Sequence, residues 1–186
     1  MRYNPAKGTA MNKLTSPTSD EYAEFYAGYI QRAQARSDVL AALPQQIDEI
    51  KSALGKLTDE QALFRDAPKE WSIKQVMGHL NDVERVFSYR LLRVSRNDPT
   101  PLPGFEQDDY VREARFDTHP LQELIQEFEY LRRANLLAIH NMSDESTLRI
   151  GTASGAPVSA RALIYMLVGH VEHHMASLHE KYLSAF

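Results

Sequence analysis

The segment from Ser159 to Tyr182 contains one helix breaker, Gly169, and carries His170, His173, His174 and His179, four of the chain's seven histidines. Read as a helix at about 100° per residue with Leu163 as zero, His170 falls at about 340° and His174 at about 20°. Leu167 and Leu178 fall at about 40° and about 60°, so the two imidazoles stand one turn apart inside the apolar stripe. Each buried ring brings two nitrogens that need partners, and a row of leucines offers none. The bland alternative, a core histidine bonded to a carbonyl or carboxylate, suits one ring better than two stacked ones. Burial cost therefore favours a metal-ligand pair. Glu172 points to about 180°, away from the pair, so the zinc-protease arrangement is not formed. His173, on the flank, and His179, pointing outward, are expected outside the ligand set.

The rest of the composition narrows the chemistry. A chain of 186 residues suits a single domain with a sizeable core. Its net charge of −4 is well mixed, and no basic run or basic face with interleaved aromatics marks a nucleic-acid partner. No apolar run reaches the roughly 18 residues of a membrane span. Residues 1–18 lack both periodicity and the apolar centre of a secretory signal. They are expected to be a disordered lead-in to a domain over 19–186, with Met11 a second candidate start. The absence of cysteine removes thiolate nucleophiles, iron–sulfur clusters and Cys-type zinc, and fits a cytoplasmic protein. Any metal must be held by histidine and carboxylate.

Taken in order, the chain predicts four principal helices. An aromatic stretch (Tyr22, Phe25, Tyr26, Tyr29, Ile30) reads as a short lead-in helix with surplus apolar surface, the mark of an interface. Val39, Leu40, Leu43, Ile47, Ile50, Leu54 and Leu57 predict a helix from about Ser37 to Lys56, kinked or broken at Pro44. Thr58 and Ser72 each open a capping box. The helix starting after Ser72 carries Ile73, Val76, Leu80, Val83, Phe87, Leu91 and Val94 on one stripe, with His79 on its flank. Alone His79 is a weak ligand candidate; beside a two-histidine site awaiting a third ligand it becomes a strong one. Glu84 lies inward in the same row. It is the candidate catalytic carboxylate, as proton acceptor or as partner to a ligand. The competing and favoured reading is an ion pair with Arg161, Arg90 or another cation. Asp82 and Tyr165 are expected to face outward.

From Asn97 to Asp117 three prolines, Gly104 and several acids interrupt the helical pattern, and so long a connection suits a crossover along the bundle. His119-Pro120 starts a third helix with Leu121, Leu124, Ile125, Phe128, Leu131, Asn135, Leu136 and Ile139 inward. Residues 143–158 read as irregular, with a short extended stretch at Leu148–Ile150. The expected fold is all-α, a bundle of four helices.

Several of these strings resemble the DinB-like (DinB/YfiT) superfamily. Trp71-Ser72-Ile73-Lys74-Gln75-Val76-Met77-Gly78-His79-Leu80 with Glu84-Arg85 is similar to its second helix. Gly169-His170-Val171-Glu172-His173-His174 is similar to its last, and Pro101-Leu102-Pro103-Gly104-Phe105 to one subfamily's crossover loop. The resemblance implies a four-helix bundle of up-down-down-up topology, with a long crossover between helices 2 and 3. It also implies a divalent metal, zinc or nickel, on His79, His170 and His174, and a homodimer. Low-molecular-weight thiol S-transferases and a mycothiol-dependent isomerase are among the characterised relatives.

Three neutral imidazoles leave a metal cationic and coordinatively open, as catalytic sites are. The open position can activate water for hydrolysis or a low-molecular-weight thiol for transfer. Thiol transfer is slightly favoured, because hydrolysis asks for a base and Glu84 is the one candidate. The alternative is a non-catalytic bundle whose metal is structural or which binds a small ligand. A pocket at the metal, walled by residues 97–117 and 143–158, would separate the two. Imidazole must be neutral to ligate, so metal release is expected below about pH 6.

Overall fold

The computed structural model describes residues 14–185. Its helices are α1 (Ala27–Gln34), α2 (Val39–Leu54), α3 (Ile73–Ser95), α4 (Gln107–Ala114), α5 (Leu121–His140), α6 (Asp144–Thr147) and α7 (Ala160–Ser177), which continues as a π-turn over Leu178–Tyr182. A hairpin, β1 (Ile150–Ala153) and β2 (Ala156–Ser159), precedes α7. Among the described residues no helix is long and apolar enough to cross a membrane.

The bundle comprises α2, α3, α5 and α7, and its topology follows from which ends share a core. One apolar cluster joins the start of α2 (Val39, Leu43), the end of α3 (Phe87, Leu91, Val94), Ile139 at the end of α5 and the start of α7 (Leu163, Leu167). The other joins the end of α2 (Ile50, Leu54), the start of α3 (Ile73, Met77), the start of α5 (Leu121, Leu124) and the end of α7 (Val171, Met175). Thus α2 and α7 run one way and α3 and α5 the other: up, down, down, up. Consecutive helices α3 and α5 are parallel, so the chain has to travel back between them.

Where the two clusters meet, one polar group crosses the bundle. Arg132 on α5, wholly inaccessible to solvent, donates from Nε and Nη2 to the two Glu84 carboxylate oxygens on α3, at 2.7 and 2.8 Å. It also donates to Gln46 Oε1 on α2 (2.8 Å) and to the Leu167 carbonyl on α7 (3.1 Å). Gln46 passes the network on to the Val168 carbonyl and to Glu172, which Arg36 holds from the other side. A buried charge of this kind survives only fully paired, and here each of the other three helices contributes a partner. Arg132 displaces Leu131 from the expected inward row; Leu131 is half-buried.

Local chemistry accounts for the ends. Asp38 caps α2 through the Leu40 and Ala41 amides, and Ser72 with Gln75 forms the capping box of α3. The expected break at Pro44 does not occur. Pro44 is exposed on a continuous α2, so solvent can reach the carbonyl one turn back that its missing N–H leaves unpaired.

The crossover also differs from expectation, since it contains α4 and a 3-10 turn over Phe116–Thr118. Phe116 packs directly on Gly78, where any side chain would collide with its ring. The segment expected to be irregular forms the hairpin. Its turn residues Ser154 and Gly155 both have positive φ, 53° and 78°, the requirement of a tight two-residue hairpin turn. Leu102 of the crossover bonds along β1 through Thr152 and Ser154. Tyr165 corrects another expectation: it is buried, and its hydroxyl donates to the Leu14 carbonyl at 3.2 Å. Thr15 and Ser16 bond to Arg161 and Tyr165, so residues 14–16 are docked rather than disordered. The remainder of the expected disordered segment, residues 1–13, lies outside the described residues.

Removing Arg132 while leaving Glu84 buried should be expensive. Arg132→Met is expected to cost about 3–5 kcal/mol, read as a lowered urea midpoint; a loss below about 1 kcal/mol would show that the pair does not tie the helices together.

Candidate metal centre and its cleft

Ser72 fixes the start of α3 and sets His79 two turns in, facing α7. The Trp71 ring, whose backbone carbonyl accepts from the Tyr182 hydroxyl at 3.1 Å, lies against His79 with centroids 4.8 Å apart. From α7, Gly169 lets the backbone of α1 come so close that any side chain would strike the Tyr29 carbonyl. His170 therefore sits beneath Tyr29, with ring centroids 5.4 Å apart. His174 stands one turn further along.

The three rings converge. His170 Nε2 lies 3.0 Å from His79 Nε2 and 3.1 Å from His174 Nε2, and the three can hold a metal ion. His79 and His170 are buried and His174 half-buried. The donor set fits such an ion on two grounds. Zinc–nitrogen bonds of about 2.0–2.1 Å in a tetrahedron place ligand nitrogens about 3.3 Å apart, close to the separations here. Three neutral imidazoles also turn three Nε2 atoms on one another, and a cation can accept all three lone pairs at once. Burial pushes the His79 imidazole down to about 4, with repulsion from His173 a smaller cause. Burial likewise holds His170 and His174 well below the ordinary imidazole range. Neighbouring histidines add to this in both, and Arg132 adds to it at His170. The rings are thus neutral and ready to ligate, and proton competition for an ion sets in lower than the expected pH 6.

The other expected residues fall as follows. His173 is half-buried against Tyr29 and His174, at centroid distances of 5.4 and 5.0 Å, and outside the triad. His179 is exposed. Glu84 is bound by Arg132 and accepts a further bond from Asn135 at 2.7 Å. Both its oxygens are already engaged, so the structure gives it the ion-pair role and no free proton-accepting oxygen. Its partner is neither Arg161, which pairs with Glu21, nor Arg90, which holds the loops.

A cleft of about 360 Å³ opens onto His170. The crossover supplies Gly104, Phe105 and Glu106, and the hairpin supplies Ser154, the two segments expected to wall it. The third wall was not expected: Phe25, Tyr26 and Tyr29 of the aromatic stretch. Of that stretch Ile30 is buried, Tyr26 and Tyr29 are half-buried, and Phe25 alone is largely exposed, at 77%. Part of its apolar surface thus packs on its own bundle, and part stays open at the cleft and at Phe25. Arg90, itself buried, fastens the walls, donating to the Pro103 carbonyl (2.8 Å) and to Ser154 Oγ (3.0 Å).

A four-helix bundle with a three-histidine cluster at the foot of an open cleft is of the class of bundles in which side chains on facing helices could hold a metal. This chain belongs to the DinB superfamily, whose family model matches residues 42–178. It is similar in structure to YfiT from Bacillus subtilis, described as a probable metal-dependent hydrolase with an unusual four-helix bundle topology. The TM-score is 0.71 at 16% identity, over 94% of each chain. No curated protein matches the chain.

Two measurements test the centre. Ala at His79, His170 or His174 should each remove most of the metal, by elemental analysis of untagged protein, while His173→Ala and His179→Ala should retain it. In metal-free protein, unfolded histidines bind protons near pH 6.5 while the folded triad does not. The unfolded state then holds more protons, and stability must fall as pH drops from about 6.5 toward 5. The drop should shrink in His79→Ala, and an equal drop in both proteins would remove the triad as its cause.

Proposed function

We propose that the protein is a metal-dependent enzyme, most simply a hydrolase, acting on a small substrate that enters the cleft above His170. The observation that carries this reading is the cleft itself: a structural metal needs no entrance, and this triad has one. A divalent ion on three histidines supplies Lewis acidity and lowers the pKa of a bound nucleophile. The chain's own groups do the rest. His79 and His174 fix the donor triangle from opposite helices, and His170 faces the cleft. Tyr29 keeps its proton at neutral pH as any phenol does, and burial, with Tyr26 as the smaller cause, raises its pKa further. Its phenol is thus a hydrogen-bond donor for charge developing on a substrate oxygen. Phe87 and Val83 form the dry wall against which the reacting group is held. The description of YfiT as a hydrolase supports the same assignment.

Thiol transfer is the second reading, and one observation favours it. Glu84 is committed to Arg132 and cannot serve as the base that hydrolysis gains from, whereas a thiol needs only to be held as thiolate. Zinc and nickel both suit the donor set. Assembly as a homodimer, which the family resemblance implies, would draw on other exposed apolar residues, such as Tyr130 and Leu137 on α5.

Metal-loaded protein should hydrolyse members of an ester, amide and phosphoester panel. Chelation or His170→Ala should cut the rate by about a hundredfold or more, and Tyr29→Phe by a smaller factor. Conjugation of monobromobimane to glutathione, bacillithiol or mycothiol that depends on His170, with no hydrolysis of the panel, would move the assignment to transferase.

A further inference from the structure

The lining of the cleft is chemically one-sided. Phe25 packs edge-on to Tyr26 and Tyr29, at centroid distances of 5.2 and 6.4 Å, and the two tyrosine rings lie tilted to one another at 6.1 Å. Phe87 continues the wall 6.0 Å beyond Tyr26. Opposite them the crossover presents Phe105 and then two acids, Glu106 and Asp108. Both carboxylates are exposed, and neither makes an ion pair among the described residues. Among the described residues no lysine or arginine lines the cleft. The guanidinium behind the wall, Arg90, is 2% exposed and is bonded to Pro103 and Ser154.

We propose that this cleft selects an organic cation: a substrate with an apolar or aromatic body ending in an ammonium or quaternary ammonium group. The proposal rests on the reading of the cleft as the entrance to His170 and narrows what enters it. Aromatic faces carry negative charge density and attract alkylammonium groups. The two carboxylates add an attraction of the same sign, while an anion meets repulsion from both. An aromatic wall alone accepts neutral molecules equally well, and exposed carboxylates alone are simply solvated. Selection comes from having both on one cavity of about 360 Å³, large enough for a ring and a short chain. The apolar body lies along Tyr26 and Phe87, the charge sits toward Glu106 and Asp108, and the reacting group reaches His170.

Three probes of similar size separate the charges: benzyltrimethylammonium, benzyl alcohol and benzenesulfonate. Each is titrated into full-length protein, metal-loaded and chelator-stripped, with metal content measured on the same samples. A quaternary ammonium has no lone pair for a metal, so its binding reads the cleft alone. Expected is the order cation, neutral, anion in both metal states, with the cation favoured about tenfold over the alcohol and less so at high salt. Glu106→Gln/Asp108→Asn, at exposed positions, should erase most of that preference, and Phe25→Ala should weaken all apolar binding. Equal affinities, a reversed order, or a preference untouched by the double substitution would overturn the proposal. Failure to bind metal would sink the metal-enzyme reading alone, since the cation preference is read in its absence.

Discussion

A single guanidinium determines how the helices of this bundle sit. Arg132 lies where the two apolar clusters meet, and its donors reach α2, α3 and α7 from α5. Apolar packing tolerates small slips between helices; a buried charge does not, because each misplaced bond leaves a desolvated group unpaired. Its bond to the Leu167 carbonyl and Gln46's bond to the Val168 carbonyl grip α7 immediately before His170. The register that brings His170 opposite His79 is thus set by the same network. The network spreads two guanidinium groups, Arg36 and Arg132, against three carboxylates, Glu49, Glu84 and Glu172.

Much of this was legible in the sequence, for identifiable reasons. Helical periodicity is strong wherever one face is buried, so α2, α3, α5 and α7 could be read from their apolar spacing to within a few residues. The histidine pair on α7 could be read because imidazoles inside an apolar stripe have no ordinary explanation. The long interval between α3 and α5 pointed to their parallel directions.

What was not legible depends on partners far away in the chain. Arg132 looks like any helical surface arginine until Gln46, Glu84 and Leu167 are placed around it, and its inward position displaced Leu131. Nothing local in the aromatic stretch says that Gly169, more than a hundred residues later, opens a seat for it. Tyr29 was missed as a site residue for the same reason, although a glycine beside a candidate ligand was a usable signal. The hairpin was missed because its strands are short; Ser154-Gly155 was its one clear mark.

The contact between Tyr29 and Gly169 joins α1 to α7. The triad likewise takes one ligand from α3 and two from α7. During synthesis, residues 14–158 emerge with His79 alone, the cleft without its floor, and Arg132 without its α7 partner. A nascent chain cannot bring the three histidines together until α7 has left the ribosome. A chain that stops before α7 is left with a guanidinium only partly paired, because the Leu167 carbonyl is missing from its partners.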